Sequence, residues 1–508
     1  MPARALTIPV NTKLFLVFFS VVLLGVSAFA QPSVTLSRKV GPPTTNTLVS
    51  GSGFPASTVL DIYFDTAEVA QAATNSAGSF SKIKIQVPAS ALPGQHWITA
   101  EVSVTDEGAQ VPFKVQTDWP EFHFAPSLDG ADPYENVLSP SNVGNLGLLW
   151  SYTTGAGVDS SPAVADGVVY VGSEDNNFYA LNASSGAELW HVTTGAAVES
   201  SPAVADGVVY VGSDDDNVYA LSKESASTPE CVASGYLASS CSLWQFTTGG
   251  AVNFSPAVVN PTSTLPGMVY VGSEDGNVYA LNASTGAELW HFTTEGFYVF
   301  SPAVVNGVVY DGDIGFDSGN VYALDAMTGA EVWSTGNFAT ASPAVAGGVV
   351  YIGGSSMTAL ITNTGNTLWQ ASSPAADNTP AVADRAVYFA AFGSNYALNA
   401  SNGAVLWQYA GVCTCPVQSS PAVANGVVYV GVGLVNGGSL DALDASSGDV
   451  LWQYITGGNV NSSPAVANGV VYVGSDDGNV YAFSLPTPPQ APERPDPAAL
   501  RPDTSLRK

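Results

Sequence analysis

Between Trp150 and Phe483 the chain repeats one pattern: Ser-Pro-Ala-Val, then Gly-Val-Val-Tyr-Val-Gly-Ser, then Val-Tyr-Ala-Leu, then a Gly followed by a Trp. The copy from Ser161 to Trp190 reads SPAVADGVVYVGSEDNNFYALNASSGAELW. A unit of roughly 40 residues holding several short strands is the signature of a β-propeller. Each unit reads as four strands. The first opens on a proline (Pro162, Pro202, Pro256, Pro302, Pro343, Pro380, Pro421 and Pro464), which lacks an amide donor and so suits a strand edge facing a central channel. Pairs such as Asp166-Gly167 and Asn306-Gly307 favour two-residue hairpins into the second strand. That strand, for example Val168-Val169-Tyr170-Val171, is apolar on both faces because neighbouring blades cover both. The third strand carries Tyr-Ala-Leu and the fourth carries the Trp.

The count determines how the ring closes. Eight Trp residues mark the fourth strand: Trp150, Trp190, Trp244, Trp290, Trp333, Trp369, Trp407 and Trp452. The first precedes the first Ser-Pro, and the last repeat ends at Phe483 without a Trp. The expectation is an all-β chain with an eight-bladed propeller, in which the strand around Trp150 completes the last blade and removes its open edges.

The remaining segments differ in composition. Arg4 and Lys13 precede an apolar run, Leu14 to Val26, and Ala28-Phe29-Ala30 is a small-residue cleavage site, so residues 1–30 read as a secretory signal peptide cleaved after Ala30. No Cys follows the run, which argues against a lipid anchor. The mature protein is therefore expected to be secreted or periplasmic. Residues 31–117 contain short, partly alternating stretches between Gly, Pro and Asn turns, the pattern of a small β-sandwich. A junction spans 118–149, the propeller 150–485, and a Pro-rich tail, 486–508, has the composition of a disordered segment.

Charge narrows the partners. The chain has 13 Lys and Arg against 42 Asp and Glu, and from Trp119 to Leu485 its only basic residues are Lys223 and Arg385. Such a surface repels phosphate, so nucleic acid and anionic membranes are poor partners. A protein or glycan partner remains open, no membrane insertion is expected, and the chain reads as a monomer.

The repeat resembles the pyrroloquinoline-quinone-type propeller unit, found in quinoprotein dehydrogenases and in the propeller subunit of the outer-membrane barrel assembly machinery. Asp118-Trp119-Pro120 and Asn142-Val143 through Trp150 resemble the lead-in to the first blade of quinoprotein alcohol dehydrogenases. In the sandwich segment, Gly51-Ser52-Gly53-Phe54-Pro55 and Ala77-Gly78-Ser79-Phe80 resemble the turns of bacterial immunoglobulin-like modules. The quinoprotein resemblance implies a tricarboxylate quinone (PQQ), Ca²⁺ held by hard oxygen ligands, and an Asp acting as base. Such an anion needs paired cations. The propeller supplies one Lys and one Arg, both expected on the face opposite the quinone pocket of those enzymes. The adjacent cysteine pair of the alcohol dehydrogenases is replaced by Cys413-Thr-Cys415, and no C-x-x-C-H haem motif is present. No catalytic residue is assigned and no cofactor is expected. The reading is a non-enzymatic binding or interaction module, with a PQQ- and Ca²⁺-dependent dehydrogenase of alcohols or sugars, or a cell-envelope assembly scaffold, as alternatives.

Four cysteines suit an oxidising compartment and allow three pairings. Cys231 and Cys241 bracket an insertion in the second blade, while Cys413 and Cys415 enter the seventh on the opposite face. Pairing within each set is therefore expected, Cys413–Cys415 as a tight ring or a reducible pair. Asn182-Ala-Ser184, Asn282-Ala-Ser284 and Asn399-Ala-Ser401 match a glycosylation triplet yet spell the turn between the third and fourth strands. The acidic turns Glu174-Asp175, Asp214-Asp215-Asp216, Glu274-Asp275 and Asp476-Asp477 read as turn chemistry. Asp311, Asp313 and Asp317 break the repeat and form the candidate Ca²⁺ site.

A ligand is specified where blades differ. The position two before each Ser/Thr-Pro is expected to ring the channel mouth: Asp159, Glu199, Asn253, Val299, Thr340, Asp377, Gln418 and Asn461. Phe254, Phe297, Tyr298 and Phe300 add an aromatic sector. Such a ring suits a neutral or cationic small molecule, a sugar or a peptide.

Overall fold

The computed structural model describes residues 31–105, 107–223, 242–261, 266–315, 319–336, 339–376, 378–391, 393–410 and 419–492. The expected signal peptide, all four cysteines, Asp317, Asp377 and Gln418 lie outside the described residues, as does the tail beyond 492.

From Gly147 onward the described residues form eight sheets that each contain the four-strand blade unit. In the first complete blade the strands are Ala163–Ala165, Val168–Gly172, Asn177–Asn182 and Glu188–Thr193, antiparallel and in sequence order. The hairpin at Asp166-Gly167 has φ of 52° and 84° at its two central residues, the left-handed pair that a two-residue turn between right-twisted strands requires. Val169, Tyr170 and Val171 of the second strand are all fully buried, since its two faces pack on different neighbours. One face joins a core with the last blade and the other a core with the next.

Trp and Gly in the repeat interact between blades rather than within one. The Trp244 indole N–H donates to Ala283 O at 2.8 Å, in the next blade. Its ring lies where a Cβ on Gly286 would come within 2.6 Å, and Gly286 has φ 69°. Trp150 over Gly186, Trp290 over Gly329, Trp333 over Gly365, Trp369 over Gly403 and Trp407 over Gly448 repeat the contact. Glycine is required there twice over, for its backbone conformation and for the absent side chain.

The strand around Trp150 completes the last sheet. The strand Gly147–Thr153 pairs with Asn479–Ser484, Trp150 opposite Ala482. The blade after Trp452 takes its fourth strand from the start of the propeller, and Trp452 accordingly donates its indole N–H to Leu146 O at 3.0 Å just ahead of that closing strand. Around the channel the Ser/Thr-Pro hydroxyls link neighbouring blades. Ser161 N donates to Ser201 Oγ, Ser255 N to Ser301 Oγ, Thr379 N to Ser420 Oγ, and Ser463 N to Ser161 Oγ across the closure.

The sandwich segment comprises a three-stranded and a five-stranded sheet around Leu60, Ile62, Ile98 and Phe113, all fully buried. It adjoins the propeller through Thr117 N and Asn468 Oδ1 at 2.9 Å and through Asn136 Nδ2 and Ala91 O at 2.9 Å.

The junction forms a belt across one end of the channel. The innermost strand of a propeller blade has an open edge whose amide must find a partner. Val164 N donates to Trp119 O, Val204 N to Pro120 O, Val304 N to Pro126 O, Val345 N to Ser127 O, Val382 N to Asp129 O and Val423 N to Gly130 O. Val258 N instead meets the Glu121 carboxylate oxygen Oε2 at 3.3 Å. Ala131–Asp132 then runs parallel to the inner strand Ala422–Ala424. Fourteen residues from Trp119 to Asp132 thereby satisfy the inner edges of seven successive blades.

Candidate functional site

Two loop classes, those joining one blade to the next and those between second and third strands, surround the channel end opposite the belt. There they enclose a cavity of about 590 Å³. Its wall includes Asp159, Glu199, Asn253, Thr340 and Asn461, five of the eight positions that sequence register placed at the mouth. Phe254 and Phe300 line it together, ring centroids 5.1 Å apart and edge-to-face. All eight Ser/Thr-Pro hydroxyl residues, Ser161, Ser201, Ser255, Ser301, Ser342, Thr379, Ser420 and Ser463, form the ring beneath, and Phe122 of the belt lines it as well.

Blade four departs from the register. Tyr298–Val299 forms an extra strand against Asp313 and Ile314. Val299 is consequently buried in the core between blades three and four. Tyr298 and Phe297 are exposed and do not line the cavity, whereas Ile314 does.

The mouth is electrostatically one-signed. Burial, reinforced by a hydrogen bond and repulsion from Asp476, pushes the Asp159 carboxyl up to about 7. Burial and the nearby Glu274 and Asp215 raise Asp214 to about 6. Glu199 is raised by burial and by Asp214, Glu174 and Glu274. Asn461 Nδ2 donates to Asp476 at 3.2 Å and Asn253 Nδ2 to Glu274 at 3.2 Å. No Lys, Arg or His lines this cavity among the described residues.

The second acid of each acidic turn has a different task. Asp175 accepts the Tyr179 hydroxyl at 2.6 Å, the Gly155 amide at 2.6 Å and the Asn177 amide at 2.9 Å. Asp215, Asp275 and Asp477 make the equivalent bonds to Tyr219, Tyr279 and Tyr481 and to Gly195, Gly249 and Gly457. These carboxylates latch each blade's turn to the loop arriving from the previous blade. Asp313, from the candidate Ca²⁺ set, is the same latch in blade four. It accepts Gly296 N at 2.8 Å, Asn320 N at 2.6 Å and the Tyr322 hydroxyl at 3.0 Å. Asp311 is fully buried where the other blades carry Val, Ile352 or Phe389, and burial holds its carboxyl well above the usual range. No group of three His, Cys, Asp or Glu side chains among the described residues is arranged to hold a metal ion.

The other singled-out residues have local partners. His191 and His291 pair with Glu188 and Glu288 three residues before them. Asn182 Oδ1 caps the turn it begins, accepting Ser184 N at 3.0 Å and Ser185 N at 3.1 Å. Lys223 pairs with Asp166 in the inner hairpin turn of blade one, on the belt side and away from the mouth. Arg385 occupies a left-handed turn position, φ 69°, between the inner two strands of blade six.

Sequence reasoning missed Phe122 and the belt that carries it. The available signal was Trp119-Pro-Glu-Phe122-His-Phe124, too aromatic for a solvated linker.

A family model described as outer membrane protein assembly factor BamB matches residues 144–291, 238–376, 274–417 and 396–487. No curated protein matches the sequence. Among solved structures, BamB from Moraxella catarrhalis is 18% identical over 67% of this chain and 99% of its own, with a TM-score of 0.52. Quinohemoprotein alcohol dehydrogenase from Comamonas testosteroni is 17% identical over 74% of this chain and 82% of its own, TM-score 0.59. A europium-containing methanol dehydrogenase is 15% identical over 73% and 98%, TM-score 0.57. At these identities the likeness establishes the fold. Among the described residues no helix is long and apolar enough to cross a membrane.

Proposed function

Because the chain belongs to the family of the outer membrane protein assembly factor BamB, with its PQQ-type propeller repeat, we propose that it is an exported, non-enzymatic binding module whose channel mouth takes a neutral or cationic ligand, whether protein segment, glycan or small molecule. One observation carries this reading. Among the described residues, the mouth cavity combines hydroxyls, amides, two carboxyls and an aromatic sector without a cation in its lining. Carboxyls raised by burial and mutual repulsion gain from a bound positive charge or from hydroxyl donors, and lose further from a bound anion. The apolar run before Ala28-Phe29-Ala30 supports export.

A tricarboxylate quinone does not fit this lining. Bringing such an anion beside Asp159 and Glu199 would add like charge where their own ionisation is already suppressed, and no side chain in the lining among the described residues offsets it. Lys223 and Arg385, the propeller's only cations, belong to turns at the other end of the channel. No step through a quinone is therefore derived.

The test is an array of glycans and cationic peptides probed with the wild-type protein and with Glu199→Gln and Phe254→Ala. The reading expects a ligand that wild type retains at least about tenfold more tightly than the variants, a difference of roughly 1.4 kcal/mol. Retention of no ligand, or of a ligand indifferent to both substitutions, would remove its support.

A further inference from the structure

A second cavity, of about 480 Å³, lies at the belt end of the channel, walled by the sandwich segment, the belt and the inner strands of blades two and three. Its polar lining holds the carboxyls of Asp118, Glu121 and Asp166 beside the amides of Gln116 and Asn260 and the Arg38 guanidinium. Glu121 is only 6% exposed, and its one polar contact among the described residues is the Val258 amide at 3.3 Å. Gln116 is 4% exposed. Its amide nitrogen donates to both Asp118 oxygens at 2.7 Å and to Asp166 at 3.3 Å, while its Oε1 is buried without a donor. Burial raises the Asp118 carboxyl as well.

Among the cations nearby, Lys114 favours the ionised Asp118 and Asp166 through space. Lys223 is committed to Asp166. Arg38, on the outer wall, is exposed and gives its Nε to Val40 O at 3.0 Å. The opposite wall is aromatic: Phe124 packs 5.3 Å from Trp119, edge-to-face, and 6.4 Å from Tyr134.

We propose that this cavity binds a small organic cation, an ammonium or guanidinium carried on an apolar body, with Glu121, Asp118 and Gln116 Oε1 receiving its N–H groups and Phe124 and Tyr134 its body. A buried carboxyl with a single amide partner and an unpaired amide oxygen in one cavity are costly as they stand, and both costs fall when a charged donor enters. Aromatic faces add attraction for the same charge. The volume falls within the range of small-molecule sites. The proposal does not rest on the channel-mouth reading, because the two cavities share no lining residue.

The experiment is calorimetric titration of the full chain with benzylammonium chloride and, separately, with neutral benzyl alcohol. Saturable one-to-one binding of the ammonium, with at least a fiftyfold preference over the alcohol, is expected. Glu121→Gln and Asp118→Asn each weaken it at least tenfold while unfolding at midpoints no lower than the wild type near pH 6. Glu121 ionises as the cation enters, so the binding enthalpy also differs between buffers of different ionisation enthalpy. Absence of saturable ammonium binding, as for a cavity that holds only water, overturns the proposal. So does equal binding of the alcohol, or binding that survives both substitutions; binding lost only in Glu199→Gln would assign the cation to the mouth and overturn it equally.

Discussion

Glu121→Gln should reduce the chain's loss of stability at alkaline pH. The Glu121 carboxyl is enclosed by the belt and blade three, with a single amide for company, and burial pushes it up to about 8 from 4.5. Because its folded value lies above its unfolded one, the native state holds a proton that the unfolded chain releases. The stability this provides is complete below about pH 4.5 and is lost as the pH rises towards 8. One pH unit of such displacement corresponds to roughly 1.4 kcal/mol, so between about pH 5 and pH 8 the native state forfeits on the order of 4 kcal/mol that a glutamine keeps. His123, two residues on, opposes it at acid pH: burial lowers it to about 4 from 6.5, so its stability is lost as the pH falls from 6.5 to 4. Between about pH 4.5 and 6.5 the two proton demands cancel, and these groups alone predict a plateau falling on both sides. Guanidinium unfolding followed by Trp fluorescence, on wild type and Glu121→Gln at about pH 5 and pH 8, measures the difference. The variant should gain several kcal/mol on the wild type between the two. Parallel pH profiles, with less than about 1 kcal/mol of relative change, would refute a buried, neutral Glu121.

Two further outcomes follow from the blade contacts. Gly286→Ala combines a left-handed backbone with a Cβ driven to within 2.6 Å of the Trp244 ring and should cost about 2–5 kcal/mol; Gly207→Ala, at φ 81° but with nothing within 4 Å, should cost only about 1–2 kcal/mol, and equal midpoints in denaturant would contradict the stacking argument. Asp175→Asn removes the charge that receives the Tyr179 hydroxyl and the Gly155 and Asn177 amides and should lower stability by about 1–3 kcal/mol at neutral pH, with Ca²⁺ making no difference to either protein; a Ca²⁺-dependent midpoint would show that the turn is a metal ligand instead.

Periodicity made the propeller legible, because each blade's contacts recur at fixed offsets. Trp150 ahead of the first Ser-Pro and Phe483 without a following Trp were enough to locate the closing strand. Register alone placed Asp159, Glu199, Asn253, Thr340 and Asn461 around one cavity. It failed at Val299, since the repeat gives no notice that Tyr298–Val299 will pair with an extended neighbour strand. The acidic turns were separable only in three dimensions. Asp175 and Glu174 are sequence neighbours, but the first is held by a loop from the preceding blade and the second contributes to the charge at the mouth. The belt is a single copy with no period, and its role depends on meeting seven inner strands spread from Val164 to Val423. Local pattern has no access to such long-range pairing, so Glu121, His123 and the cavity beside them appear only once the ring is built.

The central claim is that the propeller's mouth is a site for neutral or cationic ligands and not a quinone pocket. Titrating the purified protein with pyrroloquinoline quinone and Ca²⁺, followed by an alcohol or sugar and a dye acceptor, tests it most directly. The account predicts no saturable uptake of the quinone and no dye reduction. Tight one-to-one uptake with turnover would contradict it.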